Sequence, residues 1–402
     1  MTTLNHNLKA IESLLNGDRA LLEIALKEAL DFVEEYSDEA AVKKTIVDIS
    51  WQLRQLKKQQ KTEGVLFNDL RNELMQTLST VEKHPLSIKP PVEVLPLVCL
   101  KNIEKSYQSH NFTLKNVHLN FSLGNITGIV GANANGKSTL IKIMVGELLP
   151  NSGDISFPVF QQNNKKLSWL ELKNRIAYIP QELPEWHGSL RDNLHVETTL
   201  HGITGKENIL RVDFILERLG LTEFTDRQWH ELSGGYKLRF ALAKALVWKP
   251  TFLVLDEPLA NLDMASQMVV LQDLKDLVKS VRFPLGIVIT SQHIHEIEQI
   301  ADQLVVLEQG VIVYQGEPKA FKADGENLIF EFACDKEWSE MTDILRGCPV
   351  KSVQRQGKYF IVQFDKKTYT TAQFLAFLMQ NNIQIAYFRD ITYSVKQLFL
   401  SN

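Results

Sequence analysis

The sequence predicts an α/β domain with a central sheet, preceded by an all-helical segment and followed by an α+β segment. Three observations predict this order. Residues 1–84 contain no proline, and their apolar residues recur at helical spacing. Between Val98 and Gln315 short apolar runs alternate with helical patterns, which is typical of α/β domains. From Glu326 onward, strand and helix patterns follow one another in a βαββαβ order.

The helical segment, residues 1–85, predicts a bundle of three or four amphipathic helices. Polar and glycine-containing positions predict the breaks between them, near Asn16-Gly17-Asp18, Ser37-Asp38 and Glu63-Gly64. A basic run in the middle of the segment is expected to be a solvated helix face, and it comprises Arg54, Lys57, Lys58 and Lys61. Packing of the apolar stripes on one another is the simplest account of the segment.

Four prolines between His84 and Leu97 predict a stiff linker over residues 86–97. The α/β domain is predicted over residues 98–320 and the C-terminal α+β domain over residues 326–402. In the latter, phenylalanines alternate with polar residues as in half-buried strands. The βαββαβ order predicts a split βαβ, ferredoxin-like fold.

The composition is that of an ordinary soluble protein, with 44% hydrophobic and 23% charged residues among 402. The net charge of −4 gives no sign of a nucleic-acid-binding surface, and no nucleic acid is expected as a partner. Three scattered cysteines fit a reducing cytosol and show no metal-binding spacing. No signal peptide and no membrane span is predicted. We therefore expect a cytoplasmic protein whose membrane role, if it has one, comes through a partner.

A phosphate-binding loop is predicted where the run Gly131-Ala-Asn-Ala-Asn-Gly-Lys-Ser-Thr139 follows a predicted strand, Ile126–Val130, and opens a helix. Successive backbone N–H groups and the helix N-terminus form a nest for phosphate oxygens. Lys137 is expected to contact the β- and γ-phosphates, and Ser138 to ligate Mg²⁺. The predicted nucleotide-binding residues of the loop are Gly131, Asn133, Ala134, Asn135, Gly136, Lys137, Ser138 and Thr139.

Two carboxylates follow a short apolar run, Phe252–Leu255, which predicts a buried parallel strand with acidic residues at its carboxyl end. Open α/β sheets place their sites at that end. Asp256 is suited to hold Mg²⁺, and Glu257 is suited to polarise a water as general base. Together with the phosphate loop, this pair predicts hydrolysis of a bound nucleotide.

At Leu232-Ser233-Gly234-Gly235 the chain resembles the ABC (ATP-binding cassette) ATPases, and the resemblance covers residues 98–318. It implies a P-loop NTPase fold, a RecA-like core with a helical subdomain near residues 182–245. It also implies a dimer, in which Ser233, Gly234 and Gly235 face the γ-phosphate bound by the opposite subunit. By the same resemblance, Tyr107 stacks on adenine, Gln181 senses Mg²⁺ and Asp263 lies at the dimer interface.

Three positions depart from the family pattern. Ala134 stands where the family has glycine, so alanine carries strain if the position needs a positive φ. Tyr236 replaces the glutamine that ends the signature. An ungapped alignment places Gln292 where the family has its switch histidine, with His293 next to it. We expect Gln292 to contact the γ-phosphate, although a shift of one residue would bring in His293 instead.

The flanking segments leave two functions open. The C-terminal segment looks like that of exporter-type ABC subunits, which predicts the motor of an exporter with a separate membrane-spanning partner. The N-terminal bundle weakly resembles helical effector-associated domains of bacterial signalling and defence proteins, which act as adaptors. That resemblance predicts a soluble ABC switch that recruits an adaptor partner through its bundle. A packing cap for the cassette explains the bundle equally well.

Overall fold

The computed structural model describes residues 2–17, 21–62, 64–87, 96–107, 110–160, 168–323 and 327–392. The chain forms two compact units. The first comprises Met1–Ile126 and Ser138–Thr290, and the second comprises Thr127–Lys137 and Ser291–Asn402. Most of the predicted linker lies outside the described residues. Its last two residues belong to a strand that begins at Pro96.

Four helices form the N-terminal bundle, as predicted: α1 (Thr2–Asn16), α2 (Leu22–Tyr36), α3 (Ala40–Lys58) and α4 (Val65–Lys83). Each is amphipathic and turns its apolar stripe into a shared core. Leu26, Leu30, Ile46 and Leu53 are fully buried there. Phe214, from the α/β domain, belongs to the same core, so the bundle packs directly on that domain.

The basic run is solvated over part of its length, as expected: Lys58 and Lys61 are exposed and Lys57 is half-buried, but Arg54 is not. Arg54 is 9% exposed, and its guanidinium donates to the backbone oxygen and the carboxylate of Glu217. Lys58 pairs with Glu223. Such basic runs are usually solvated, and the sequence around this one does not show which cation meets a buried carboxylate.

The first unit contains an antiparallel sheet of three strands in the order β2-β1-β4. These strands are β1 (Pro96–Tyr107), β2 (His110–Ser122) and β4 (Ser152–Ser156). This sheet was not predicted as separate from the central one, because the periodicity of a single strand does not show which strand it pairs with.

Three parallel strands carry the predicted acidic strand end. They are β5 (Ile176–Ile179), β6 (Phe252–Leu255) and β7 (Gly286–Ser291), with β6 paired to both neighbours. All four residues of β6 are buried, as predicted for a strand covered on both faces. The helices among these strands are α5 (Lys137–Met144), α6 (Trp169–Lys173), α7 (Leu190–Leu200), α8 (Gly205–Arg218), α9 (Gly234–Leu246) and α10 (Met264–Leu277).

In the second unit, the strand before the phosphate loop is β3 (Ile126–Val130), and all five of its residues are buried. It pairs in parallel with β8 (Gln303–Glu308), which pairs antiparallel with β9 (Val311–Gly316). Two short helices flank β8 and β9, namely α11 (Ile294–Ile297) and α12 (Pro318–Ala323).

The C-terminal segment has the predicted βαββαβ order: β10 (Asn327–Cys334), α13 (Trp338–Leu345), β11 (Val350–Gln356), β12 (Tyr359–Asp365), α14 (Thr371–Gln380) and β13 (Ile385–Asp390). Its strands pair antiparallel in the order β11-β12-β10-β13. Phe330, Phe332, Phe364 and Phe374 are fully buried between sheet and helices. The ferredoxin-like prediction is therefore confirmed for this segment. Its last ten residues lie outside the described part of the chain.

Candidate functional site

The phosphate loop joins β3 to α5, the context that the motif requires. Its first residue must be glycine, because a Cβ on Gly131 would lie 2.4 Å from the carbonyl oxygen of Leu307. The side-chain amide of Asn135 donates to that same oxygen at 3.1 Å, and Asn135 is buried. The loop is thus fixed against β8 at both of these residues.

Lys137 lies over the loop that it is expected to serve. Its side chain is buried, and the Nζ donates to the carbonyl oxygens of Gly131 at 2.9 Å and Ala132 at 3.2 Å. An ammonium held at the loop carbonyls is close to any anion that the loop N–H groups bind. Asn133 and Ala134 are exposed at the loop tip, and Ser138 and Thr139 are half-buried in the first turn of α5.

Ala134 has a φ of +63°, the left-handed conformation that favours glycine. Strain was expected at this position if its φ is positive, and the structure has that φ. Gly136, two residues on, has a φ of +98°, which its missing Cβ permits without strain. The alanine therefore costs ~1–2 kcal/mol relative to an unstrained backbone.

In the first unit, the two predicted carboxylates lie at the carboxyl end of β6 and are both buried. Thr290, near the end of β7, holds them. Its hydroxyl donates to Asp256 Oδ1 at 2.8 Å, and the backbone N–H of Glu257 donates to the same hydroxyl at 2.7 Å. Thr290 was not predicted from the sequence. What could have indicated it is a hydroxyl residue near the end of an apolar run.

Gln181 follows β5 and comes close to the second carboxylate, where its Nε2 lies 3.4 Å from Glu257 Oε2. Glu257 has a φ of +45°, which is rare for a residue with a side chain. The structure thus brings together Gln181, Asp256 and Glu257, three of the predicted residues, around Thr290. Burial, Asp256 and Glu147 raise the pKa of nearby Tyr178, which keeps that phenol neutral.

The signature residues form the N-terminus of α9. Ser233 is the N-cap residue; it is exposed, and its hydroxyl does not cap the helix. Gly235 is buried, and a Cβ there would lie 2.9 Å from the Ser266 hydroxyl. A Cβ on Gly234 would lie 3.3 Å from the Asn261 backbone oxygen. The glycines therefore allow the signature helix to pack closely on the segment that begins α10.

Tyr236 replaces the family's glutamine without leaving its ring in solvent. The ring centroid lies 4.1 Å from that of Phe224, and the guanidinium of Arg239 lies 5.8 Å from it. Aromatic and cation–π contacts of this kind stabilise a half-buried ring. The substitution is therefore accommodated within the signature helix and its neighbours.

Asp263 is the N-cap of α10. Its carboxylate accepts from the backbone N–H of Ser266 at 2.9 Å and from the Ser266 hydroxyl at 2.7 Å. These hydrogen bonds, from the backbone first, lower the pKa of Asp263, which stays ionised at neutral pH. Ser266 thus links Asp263 to Gly235, and two of the motifs meet at one serine.

The remaining predicted residues lie at strand ends. Tyr107 is the last residue of β1, is 36% exposed, and has the Lys105 ammonium 5.7 Å from its ring centroid. Gln292 follows β7 and is half-buried, and His293 is the exposed N-cap residue of α11. His293 N–H donates to the Ser291 hydroxyl at 2.9 Å. Both residues make further interactions, so this geometry does not choose between them.

No helix in the described ranges is both long and apolar enough to cross a membrane. Within those ranges, no group of three or more histidine, cysteine, aspartate or glutamate side chains is arranged to hold a metal ion.

The profile of the ABC transporter family matches residues 114–260. An uncharacterised ABC transporter ATP-binding protein of Bacillus subtilis, YxlF, is 30% identical over 58% of this chain and 75% of its own length. A putative ABC transporter ATP-binding protein of Pyrococcus horikoshii is 34% identical over 54% of this chain and 81% of its own. The methionine import ATP-binding protein MetN of Geobacillus kaustophilus is 33% identical over 55% of this chain and 66% of its own length.

Among solved structures, cbiO1 of Clostridium perfringens, part of the ABC transporter complex cbiONQ, superposes with a TM-score of 0.50 at 29% identity. The match covers 58% of this chain and 92% of cbiO1. Family profile, relatives and fold agree with the signature described above. The chain therefore belongs to the ABC transporter ATP-binding family, whose members bind and hydrolyse ATP.

Proposed function

We propose that the chain powers transport as a Mg²⁺-dependent ATPase, dimerising around ATP and acting through a separate membrane-spanning partner. The observation that carries the hydrolytic part is the hydrogen-bonded group of Gln181, Asp256, Glu257 and Thr290. Two buried carboxylates at the carboxyl end of a parallel strand lie where α/β sheets place catalytic groups. The motif order of the family supports each role below.

The phosphate loop, residues 131–139, binds the phosphates of ATP through its backbone N–H groups and the N-terminus of α5. Lys137 exchanges its bonds to the loop carbonyls for β- and γ-phosphate oxygens. Tyr107, exposed at the end of β1, offers its ring to the adenine.

Hydroxyl, carboxylate and amide oxygens are the ligands that Mg²⁺ prefers, and Ser138, Asp256 and Gln181 supply one of each. These residues fit the ion, and they are the ones that would hold it. When bound, Mg²⁺ neutralises negative charge on the phosphates. Thr290 orients Asp256 by donating to one of its oxygens, which leaves its hydroxyl as acceptor for the Glu257 N–H.

Glu257 is the proposed general base, which accepts a proton from the attacking water. Gln181 lies beside its carboxylate and orients it, and the left-handed backbone at Glu257 fixes the direction in which the side chain leaves β6. A positioned general base contributes a factor of about 10² to 10⁴ in rate. Gln292 is the proposed γ-phosphate contact, with His293 as the alternative.

A second copy of the chain is the proposed partner in hydrolysis. Ser233 is exposed at the N-terminus of α9, a helix of 13 residues, with its hydroxyl not engaged in capping. A hydroxyl, N–H groups and the positive end of the helix dipole together suit a γ-phosphate bound by the opposite subunit. Asp263, exposed on the adjoining loop, is the second contact proposed for this interface.

The direction that we propose for transport is export, with the chain at the cytoplasmic face of a membrane. The C-terminal ferredoxin-like segment supports export through its resemblance to exporter-type subunits. Similar proteins are named for import of methionine and of spermidine and putrescine, so direction rests on the C-terminal segment and not on overall similarity. Co-purification with a membrane protein after detergent extraction supports the motor role, whereas recovery in the soluble fraction with no such partner contradicts it.

The alternative, a soluble switch that recruits a partner through its N-terminal bundle, is less well supported. A charged face of α2 and α3, which includes Asp31 and Arg54, is packed against the cassette of the same chain. A recruitment domain of the adaptor kind needs such a face to be available.

The test is the ATPase itself. Glu257→Gln keeps the shape of the side chain and removes the base, so we expect an ATP-bound dimer that elutes earlier on size exclusion with ATP and Mg²⁺. Lys137→Ala should weaken ATP binding by ~1.5–3 kcal/mol through lost charge-assisted bonds. Glu185→Gln, an exposed glutamate outside the group, is the matched control. A Glu257→Gln protein that stays monomeric with ATP and Mg²⁺ contradicts the dimer mechanism.

A further inference from the structure

The bundle and the cassette face each other with opposite charge. A cleft of about 1180 Å³ separates α2 from α8, α10 and the segment after α10. Its bundle wall carries five carboxylates and two lysines, and its cassette wall carries six cations and two carboxylates. A docking face with net charges of −3 and +4 on its two sides is electrostatically complementary, which favours one orientation over others.

Helix α8 is held by two buried arginines that point in opposite directions. Arg218 of the cassette donates to both carboxylate oxygens of Asp31 in the bundle, with Nη2 to Oδ2 at 2.9 Å. Arg54 of the bundle donates to the Glu217 backbone oxygen at 2.7 Å and to its carboxylate. The bundle thus contributes Asp31 from α2 and Arg54 from α3, and the cassette contributes the adjacent residues Glu217 and Arg218 of α8.

Helix α10 and the segment after it are held as well. Lys27 of the bundle contacts Asp273, whose side chain is fully buried. Past the end of α10, the Glu35 carboxylate accepts from the Ser280 hydroxyl at 2.6 Å and from two successive backbone N–H groups, at 281 and 282, at 2.9 Å each. Arg282 donates back to the backbone oxygens of residues 34 and 37 at 2.9 and 3.0 Å, and to Asp38.

The same two helices support the signature. Ser266, in the first turn of α10, bonds to Asp263 and lies against Gly235. Arg239 of α9 donates to the backbone oxygen of Leu219, directly after α8. The bundle therefore binds both α8 and α10, and these two helices contact the signature helix α9 and the loop that carries Asp263.

We propose that the N-terminal bundle is a positioning domain of the ATPase. Its charged face binds the cassette of the same chain, and through α8 and α10 it fixes the positions of the signature residues and Asp263. The proposal rests on the proposed function, since it assigns the bundle a part in hydrolysis. The charged face of the bundle is therefore occupied by the cassette of the same chain.

The test uses the full chain and the variant Arg282→Ala, which removes the contacts with residues 34, 37 and 38 and leaves every predicted nucleotide-binding residue in place. The matched control is Arg346→Ala, an arginine 82% exposed on its side chain and paired only locally in the C-terminal segment. Both are compared with wild type in ATPase rate against protein concentration, in binding of a fluorescent ATP analogue, and in amide hydrogen exchange. The variant Glu35→Gln, which keeps the side-chain shape, repeats the test if Arg282→Ala does not fold.

We expect Arg282→Ala to lower the ATPase rate between about 2-fold and about 30-fold, the range of coupling through packed elements. It should also raise the protein concentration needed for half-maximal rate and speed hydrogen exchange at residues 263–268. Binding of the ATP analogue should stay within about twofold of wild type, because the phosphate loop is untouched. Arg346→Ala should match wild type throughout.

Three results would overturn the proposal while leaving the ATPase in place: an unchanged rate and exchange, a rate that rises, or a loss confined to binding of the ATP analogue. A rate that rises would mean that the bundle restrains the enzyme. A wild-type protein with no ATPase activity would instead overturn the proposed function, and the two failures are thereby distinguished.

Discussion

Lys27→Met is the sharpest energetic test of how the bundle is joined to the cassette. The Asp273 side chain is fully buried, and among the described residues Lys27 is the group that hydrogen-bonds to its Oδ1, while Oδ2 has no hydrogen-bond partner. Removing one partner of a buried ion pair costs ~3–5 kcal/mol. The Lys27 side chain is 21% exposed, so water reaches part of the site, and we expect the lower end, ~3 kcal/mol.

The assay is urea-induced unfolding followed by circular dichroism, with the free energy of unfolding extrapolated to water. Lys44→Met, an exposed lysine on α3, is the matched control and should cost less than ~0.5 kcal/mol. The double variant Lys27→Met with Asp273→Leu should recover most of the loss, because replacing both partners by apolar groups is close to neutral. A loss equal to that of Lys44→Met, or a double variant no better than the single, would refute the reasoning.

Four further outcomes are expected. Ala134→Gly should raise the free energy of unfolding by ~0.5–1 kcal/mol in a urea titration, because it relieves the positive φ. Thr290→Val should lower it by ~1–3 kcal/mol and slow ATP hydrolysis, since Asp256 and the residue after it lose their shared partner. Burial, opposed by Glu34, lowers the pKa of Lys249 from 10.5 to about 8, so the unfolded chain binds more protons between those values. Stability should therefore rise with pH from 8 to 10.5, by at most about 3 kcal/mol, and Lys249→Met should flatten that rise in unfolding titrations. Gln292→Ala should reduce ATPase turnover, and a variant at full rate beside an inactive His293→Ala would contradict the assignment.

The helices and strands of this protein were predictable where the pattern of apolar and turn residues within one segment defines them. Helix breaks at Gly17 and Ser37, the all-buried strand β6 and the C-terminal strand–helix order follow from periodicity and turn residues. Pairing was not predictable in the same way. The β2-β1-β4 sheet joins strands whose partners no single-strand pattern names, so it was missed.

The docking of the bundle could not be predicted from its own sequence. Arg54 lies in a basic run, and the statistics of such runs favour solvent. Its partner, Glu217, lies 163 positions along the chain and is itself nearly buried. Burial raises the pKa of Glu217 although Arg54 opposes that rise, and Arg54 also bonds to Glu23. The buried carboxylate is tolerated because a cation lies against it. Paired buried charges of this kind look in sequence like two exposed ones.

Backbone strain divides the site in the same way. The positive φ at Ala134 was predictable, because the family has glycine at this position and glycine often marks a positive φ. The positive φ at Glu257 was not, because a glutamate carries no such mark. Strain of this sort persists only where the surroundings over-determine the conformation. At Glu257 they do: its N–H is held by Thr290, and its carboxylate lies beside Gln181. If that strain sets the direction of the proposed general base, Glu257→Asp, one methylene shorter in the same backbone, should lose most of the ATPase rate while the protein stays folded.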